Sequence, residues 1–343
     1  MDSSGSKPFS AERYFATQPK PAYLDEILNG VREFVAANRQ AGRRIVLVTS
    51  GGTTVPLELN VVRFLDNFSA GTRGATSAEY FLSHDYAVIF MHRQFSQQPF
   101  LRHYSHSTNP FLDLLEVEED EPPSNQNPGT PSDGKPRLPR ITVNPSPEAR
   151  PLLLHVLREN MRVKRQGTLH TVTFVTIDDY LFLLRDIAGI LGSDATHGRD
   201  TLYYLAAASE HKIQSGKGTL HIEMDQVPKI LKPLVSEWTP GGYIVSFKLE
   251  TDPALLIPKS RIALERYGHQ VVIGNELHTR KYQVVFVEPI DPASQSQATD
   301  AERFTEEWIK IREDDDVEIE KLIVEKLIAR HTAWINRLTV NKV

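Results

Sequence analysis

The sequence contains no cysteine, which removes disulfides, thiolate metal sites and cysteine nucleophiles. It also lacks an uninterrupted apolar run near the roughly 20 residues that a membrane-spanning helix needs. A basic surplus is missing too. Lys and Arg number 39 against 44 Asp and Glu, a formal net charge of −5, so the global positive footprint of a nucleic-acid binder is absent. The N-terminal stretch MDSSGSKPFSAERYF has no apolar core of a secretory signal. The expectation is a cytoplasmic protein, with the nucleus also open to it, that binds neither nucleic acid nor membrane.

What is there is an α/β rhythm in a chain long enough, at 343 residues, to bury a sizeable core. Residues 1–20 are polar and read as a flexible tail. Leu24, Ile27, Leu28, Val31, Phe34 and Val35 recur at helical spacing. The β-branched run 43–49 ends in Ser50-Gly51-Gly52-Thr53, a buried parallel strand followed by a glycine turn. A helix is expected from Gly71 to Phe81, and a strand at 86–91. After an interruption the alternation resumes, with a helix at 152–164, a strand at 169–175 and a helix capped by Thr176. Strands are expected at 201–208, 219–224, 243–249, 270–273 and 282–287. Helices are expected at 227–238, at 253–267 and around Ile319, Leu322, Ile323 and Leu327. The expected fold is one doubly wound three-layer α/β/α domain, Rossmann-like (ribokinase-like), spanning 1–343. Residues 107–150, with an acidic run at 116–121 and many prolines, bury too little to order themselves and read as a disordered insertion.

Ligands of doubly wound sheets bind beyond the carboxyl ends of the strands, which singles out three loops. The paired glycines of Ser50-Gly51-Gly52-Thr53 let backbone N–H groups approach a phosphate, although any tight βα turn also uses glycine. The spacing is neither Walker A nor GxGxxG. The second loop, RFLDNFSAGTRG at 63–74, gathers Arg63, Asp66, Asn67, Ser69, Gly71, Arg73 and Gly74 just before a helix. A helix start offers unpaired N–H groups and the positive dipole end, and Arg63 or Arg73 adds a cation for phosphate or carboxylate. The bland alternative is an N-cap with solvated arginines. The third loop, Ala206-Ala207-Ala208-Ser209, leaves room for a ligand or for a packed helix. Beyond it lie His211 and Lys212, where lysine is a candidate triphosphate clamp. Phe247 and Asn275 end two further strands on that rim. His211 has no partner at metal-ligand spacing, so no metal site of protein side chains is expected. Any Mg²⁺ would arrive on nucleotide phosphates.

The strings VTSGGTTVPLELNVVRFLDNFSAGTRGATSAEYF (48–81), HKIQS (211–215), VSFKLETDPALL (245–256) and VVIGN (271–275) closely resemble eukaryotic phosphopantothenate–cysteine ligases. The resemblance is ordered along nearly the whole chain outside the acidic insertion and the tails. It implies that the carboxylate of 4′-phosphopantothenate attacks the α-phosphate of ATP, giving an acyl-adenylate and pyrophosphate. The amine of cysteine then forms the amide and releases AMP, a step of coenzyme A biosynthesis. It also implies a homodimer. Position by position, Gly51, Ser69, Gly71, Gly74, Phe247 and Asn275 match nucleotide-binding residues, and Lys212 matches a loop lysine facing the triphosphate. Asn67, Ala207 and Ala208 match phosphopantothenate-binding residues, and Arg63 matches an arginine that reaches the substrate from the other subunit. Asn67 and Lys212 carry the catalytic expectation.

The chain departs from the family in one place. Members carry a further segment before HKIQS, including an aspartate in an Ala-Val-Ser-Asp-Phe string. Here Ala208-Ser209 runs directly into Glu210-His211-Lys212. That departure keeps a second reading open, a non-catalytic paralogue acting as a binding or regulatory subunit of a coenzyme A enzyme complex.

Overall fold

Six consecutive residues, Ile45–Ser50, are fully buried, the pattern of a strand covered on both faces. The computed structural model describes residues 10–56, 63–67, 69–104, 111–118, 140–193, 198–207, 229–290 and 303–340. In chain order its elements begin with α1 (Ala11–Thr17), α2 (Leu24–Gln40), β1 (Ile45–Ser50), β2 (Thr54–Pro56), β3 (Phe64–Asp66), α3 (Thr72–Ser83) and β4 (Ala87–Arg93). There follow β5 (Leu115–Glu118), β6 (Arg140–Val143), α4 (Arg150–Gln166), β7 (Leu169–Phe174), α5 (Ile177–Gly192) and β8 (Thr201–Leu205). The last are α6 (Leu231–Pro233), β9 (Tyr243–Glu250), α7 (Pro253–Tyr267), β10 (Val271–Glu276), β11 (Gln283–Pro289), β12 (Phe304–Lys310) and α8 (Ile319–Val340).

The chain divides into two compact units, Met1–Pro99 with Gly167–Val343, and Phe100–Gln166. The larger unit holds an eight-stranded sheet in the order β7-β4-β1-β8-β9-β10-β11-β12. The first six strands run parallel to one another, β11 pairs antiparallel with β10, and β12 pairs antiparallel with β11. Helices flank this mostly parallel sheet on both faces. On one, α2 buries Leu24, Leu28, Val31 and Val35 and packs with α5. On the other, α3 lies over β1 and β4 and against α8. A capping box starts α5, where Thr176 Oγ1 accepts from the Asp179 amide at 3.1 Å and Asp179 returns the bond to the Thr176 amide at 2.9 Å.

Several expectations change. Residues 11–17 of the expected flexible tail form α1. Its Phe15 packs edge-on against Phe182 at 5.2 Å and Trp238 at 5.8 Å, and its Tyr14 hydroxyl bonds Asp178. The contacts of the adjacent aromatics Tyr14 and Phe15 outweigh the polar composition there. Strand β12, which the residue pattern does not announce, pairs with all of β11. Only Phe304 and Ile309 of it are buried, so it has no two-residue alternation to read. The strand expected at 219–224 lies outside the described residues.

In the smaller unit, β5 and β6 pair antiparallel from Leu115↔Val143 to Glu118↔Arg140, where disorder was expected. The Asn144 side chain donates its Nδ2–H to Glu116 Oε1 at 2.9 Å. Residues 107–110 and 119–139 of the expected insertion are outside the described residues. Helix α4, read as part of the layered alternation, belongs to this unit.

Candidate active site

The carboxyl ends of β1, β4, β8, β9 and β10 share one edge of the sheet because these strands are parallel. The strand order turns at β1 and β8, which are neighbours although far apart in sequence. Crevices at such turning points are where ligands of open α/β sheets bind.

Glycines build the β1–α3 junction. Gly51 has φ +89° and Gly71, at the start of α3, has φ +80°, both in the left-handed region that disfavours side chains. A Cβ at Gly52 would fall 1.5 Å from the Asn67 carbonyl oxygen, and one at Gly74 would fall 2.3 Å from Ser50 Oγ. Helix α3 therefore starts pressed against the end of β1. Ser50 Oγ donates to the Gly71 carbonyl at 3.0 Å and ties the two together.

Between them, β2 and β3 form a short antiparallel ribbon, Thr54↔Asp66 to Pro56↔Phe64. The Asn67 amide donates to the Thr53 carbonyl at 3.0 Å. Asp66 accepts from Thr54 Oγ1 at 3.1 Å and ion-pairs with Arg93, at the end of β4, at 2.8 Å. These bonds hold the backbone that leads into Asn67. Arg63 opens the ribbon and is exposed.

In β9, the Phe247 ring meets the edge of Tyr204 at 4.9 Å, and the Tyr204 hydroxyl bonds Ser77 Oγ on α3 at 2.7 Å. Burial pushes the Tyr204 phenol well above its ordinary range, so it stays protonated. Asn275, on β10, is 6% exposed, and its Oδ1 is buried without a hydrogen-bond partner among the described residues. A buried acceptor left unpaired costs about 1–3 kcal/mol, so Asn275 Oδ1 is available to a donor on a ligand. Register Ile273↔Phe247 and Asn275↔Leu249 puts Phe247 and Asn275 on the same face of the sheet. After β8, the Ala207 amide donates to Thr49 Oγ1 at 3.1 Å.

No protein-family model matches the chain. It is 40% identical over 356 residues to the phosphopantothenate–cysteine ligase CAB2 of Saccharomyces cerevisiae, covering 94% of this chain and 86% of that protein. The chain belongs to the phosphopantothenate–cysteine ligase family. The ligase of Homo sapiens is 39% identical over 328 residues, covering 92% of this chain and 96% of that protein. A solved structure of a Cab2 histidine-to-alanine variant in complex with phosphopantothenate-cysteine is 40% identical. Its TM-score is 0.75, over 96% of this chain and 99% of that one.

Among the residues that family resemblance singles out, this ligase brings Gly51, Gly71 and Gly74 into one junction, with Asn67 packed on Gly52 beside it. Ser69 is half-buried between Asn67 and Gly71. Phe247 and Asn275 share a sheet face, and Ala207 is bonded to β1. Ala208 and Lys212 lie outside the described residues. Sequence reasoning gave no role to Ser50, Thr54, Tyr204 or Ser77 and did not foresee the Asp66–Arg93 pairing. Asp66 and Arg93 stand 27 residues apart, so no local spacing signals them. Arg73, expected as an anion ligand, ion-pairs instead with Glu320 on α8.

Proposed function

We propose that the chain ligates 4′-phosphopantothenate to L-cysteine with ATP, through an acyl-adenylate, giving 4′-phosphopantothenoylcysteine, AMP and pyrophosphate. The observation that carries this reading is the glycine junction of β1 and α3 with Asn67 packed on it. A nucleotide triphosphate would lie along Gly51, Ser69, Gly71 and Gly74, where backbone N–H groups and the positive end of α3 favour anionic oxygens. Mg²⁺ would enter on those phosphates. Phe247 and the unpaired Asn275 Oδ1 suit the nucleoside end, since every nucleobase has a π-face and adenine and cytosine carry amino donors.

Attack of a carboxylate on a polyphosphate is repulsive, and neutral or cationic donors must offset the developing charge. Asn67 would supply an uncharged donor to the acyl oxygen, beside Ala207 and Ala208 along the pantothenate arm. It is not itself a competing nucleophile. In the first step a carboxylate oxygen bonds to the α-phosphorus and pyrophosphate leaves. In the second, the cysteine nitrogen bonds to the acyl carbon, loses a proton, and AMP leaves. Lys212 is the proposed clamp on the triphosphate, and Arg63 would reach a partner subunit's substrate in a homodimer. The strand order, which runs outward in both directions from β1 and β8, supports the doubly wound Rossmann-like form of the fold. Mass spectrometry of a reaction with ATP, phosphopantothenate and cysteine tests the reading. Phosphopantothenoylcysteine and AMP in equal amounts are expected, and ADP as the nucleotide product would overturn it.

A further inference from the structure

Arg73 lies in the first turn of α3, two residues after Gly71. Its Nη2 donates to the Arg280 carbonyl oxygen at 2.5 Å, in the turn between β10 and β11. Its Nη1 lies 3.4 Å from a carboxylate oxygen of Glu320, in the first turn of α8. Its guanidinium carbon stands 5.7 Å from the centroid of the Phe247 ring, within cation–π reach. Tyr204, bonded to Ser77 of α3, meets the same ring. One cation thus joins the helix that begins with Gly71 and Gly74, the strand that carries Phe247, and the turn that follows Asn275.

Nη1 is buried and, among the described residues, has no hydrogen-bond partner, while the side chain as a whole is 17% exposed. A nucleotide at the rim cannot touch Nη1 without first displacing protein, and Nη2 is already bonded to the Arg280 carbonyl, so the guanidinium acts here through what it holds. We propose that Arg73 is a positioning residue for the nucleotide, fixing the Phe247 ring and the β10–β11 turn against the start of α3. The proposal rests on the reading that Phe247 and Asn275 face the nucleotide. A planar guanidinium can stack on a ring and donate in its own plane at once. A lysine ammonium, a compact point charge on a flexible stem, cannot. Glu320 balances the charge from the far side and holds the guanidinium plane in place.

The test is steady-state kinetics of the full chain with nucleotide varied at saturating phosphopantothenate and cysteine, for Arg73→Gln, Arg73→Lys, Glu320→Gln and Asn275→Ala. Arg73→Gln is expected to raise the nucleotide KM about tenfold with kcat held within about twofold, the pattern of lost binding shared by ground and transition states. The KM for phosphopantothenate stays unchanged, Arg73→Lys does not rescue, and Glu320→Gln gives a smaller rise. A purely structural role would lower active-enzyme yield and leave KM alone. If Asn275→Ala raises the nucleotide KM while Arg73→Gln does not, the Arg73 proposal fails and the site reading stands. If neither variant moves it, the nucleotide-site reading fails and takes the proposal with it. Should Arg73→Gln not fold, an unchanged KM in both Arg73→Lys and Glu320→Gln overturns the proposal.

Discussion

An ideal Cβ on Gly52 falls 1.5 Å from the carbonyl oxygen of Asn67 and 2.7 Å from its carbonyl carbon. Position 52 therefore sets where the Asn67 backbone runs. Gly52→Ala must push that backbone away, and overpacking of this kind costs about 1–3 kcal/mol. A displacement near 1 Å at a reacting centre can cost on the order of 100-fold in rate. The expected result is a folded enzyme with kcat/KM down about 10- to 100-fold, read by steady-state assay beside a thermal melt. Wild-type activity in this variant would contradict the geometry.

Gly74→Ala addresses the other close approach. Its Cβ would meet Ser50 Oγ at 2.3 Å and Ser50 Cβ at 2.5 Å, so α3 would have to lift off β1. A loss of about 1–3 kcal/mol is expected, seen as a thermal midpoint several degrees lower. Ser50→Gly in the same chain should recover part of it, and a double-mutant cycle measures the coupling. Strictly additive effects would show that the two residues do not meet.

Asp66→Asn tests the anchor of the β2–β3 ribbon. Asp66 and Arg93 keep 30% and 19% side-chain exposure, and ion pairs of that kind contribute at most about 1 kcal/mol. Global stability should change little. The Asn67 backbone loses a tether, and kcat/KM for phosphopantothenate should fall about tenfold. Equal kinetics in variant and wild type would remove Asp66 from the account.

Acid should destabilise the fold through two buried histidines. Burial lowers both His331 and His269 to about 4. In His331, Nδ1 accepts from the Tyr86 hydroxyl at 2.9 Å and Nε2 donates to the Arg199 carbonyl at 2.8 Å, with Arg44 nearby opposing a positive charge. The folded state keeps these rings neutral while the unfolded chain takes up protons near pH 6.5. Their contribution is thus complete above pH 6.5, falls as pH drops, and levels off below about 4. The slope in that window is up to about 1.4 kcal/mol per pH unit for each histidine. Urea unfolding between pH 5 and 7.5 should show this decline, and His331→Gln should reduce it. A slope unchanged in the variant would contradict the assignment.

The parts of the site made by neighbouring residues are legible in the amino-acid sequence. Gly51 follows a β-branched strand, Gly71 and Gly74 open a helical stretch, and Thr176 announces a cap. What is not legible depends on distant strands meeting. Arg93 reaches Asp66 only because β4 lies beside β1, and Tyr204 reaches Phe247 only because β8 lies beside β9. Arg73 reads as a phosphate ligand from its place at a helix start, yet α8, far along the chain, supplies the Glu320 that claims it. Helix α1 is obscured by polar neighbours. Its few aromatics decide its docking, and composition averages them away.

The central claim, a ligase whose acyl chemistry turns on Asn67, is tested most directly by pyrophosphate release from wild type and Asn67→Ala, with ATP or CTP and phosphopantothenate, with and without cysteine. Losing one transition-state donor costs about 2.7–4 kcal/mol, or roughly 100- to 1,000-fold in rate. The account predicts release by wild type that requires phosphopantothenate, an acyl-adenylate that accumulates when cysteine is withheld, and loss of that rate in Asn67→Ala. No release by wild type with either nucleotide would contradict it and leave the non-catalytic subunit as the better description.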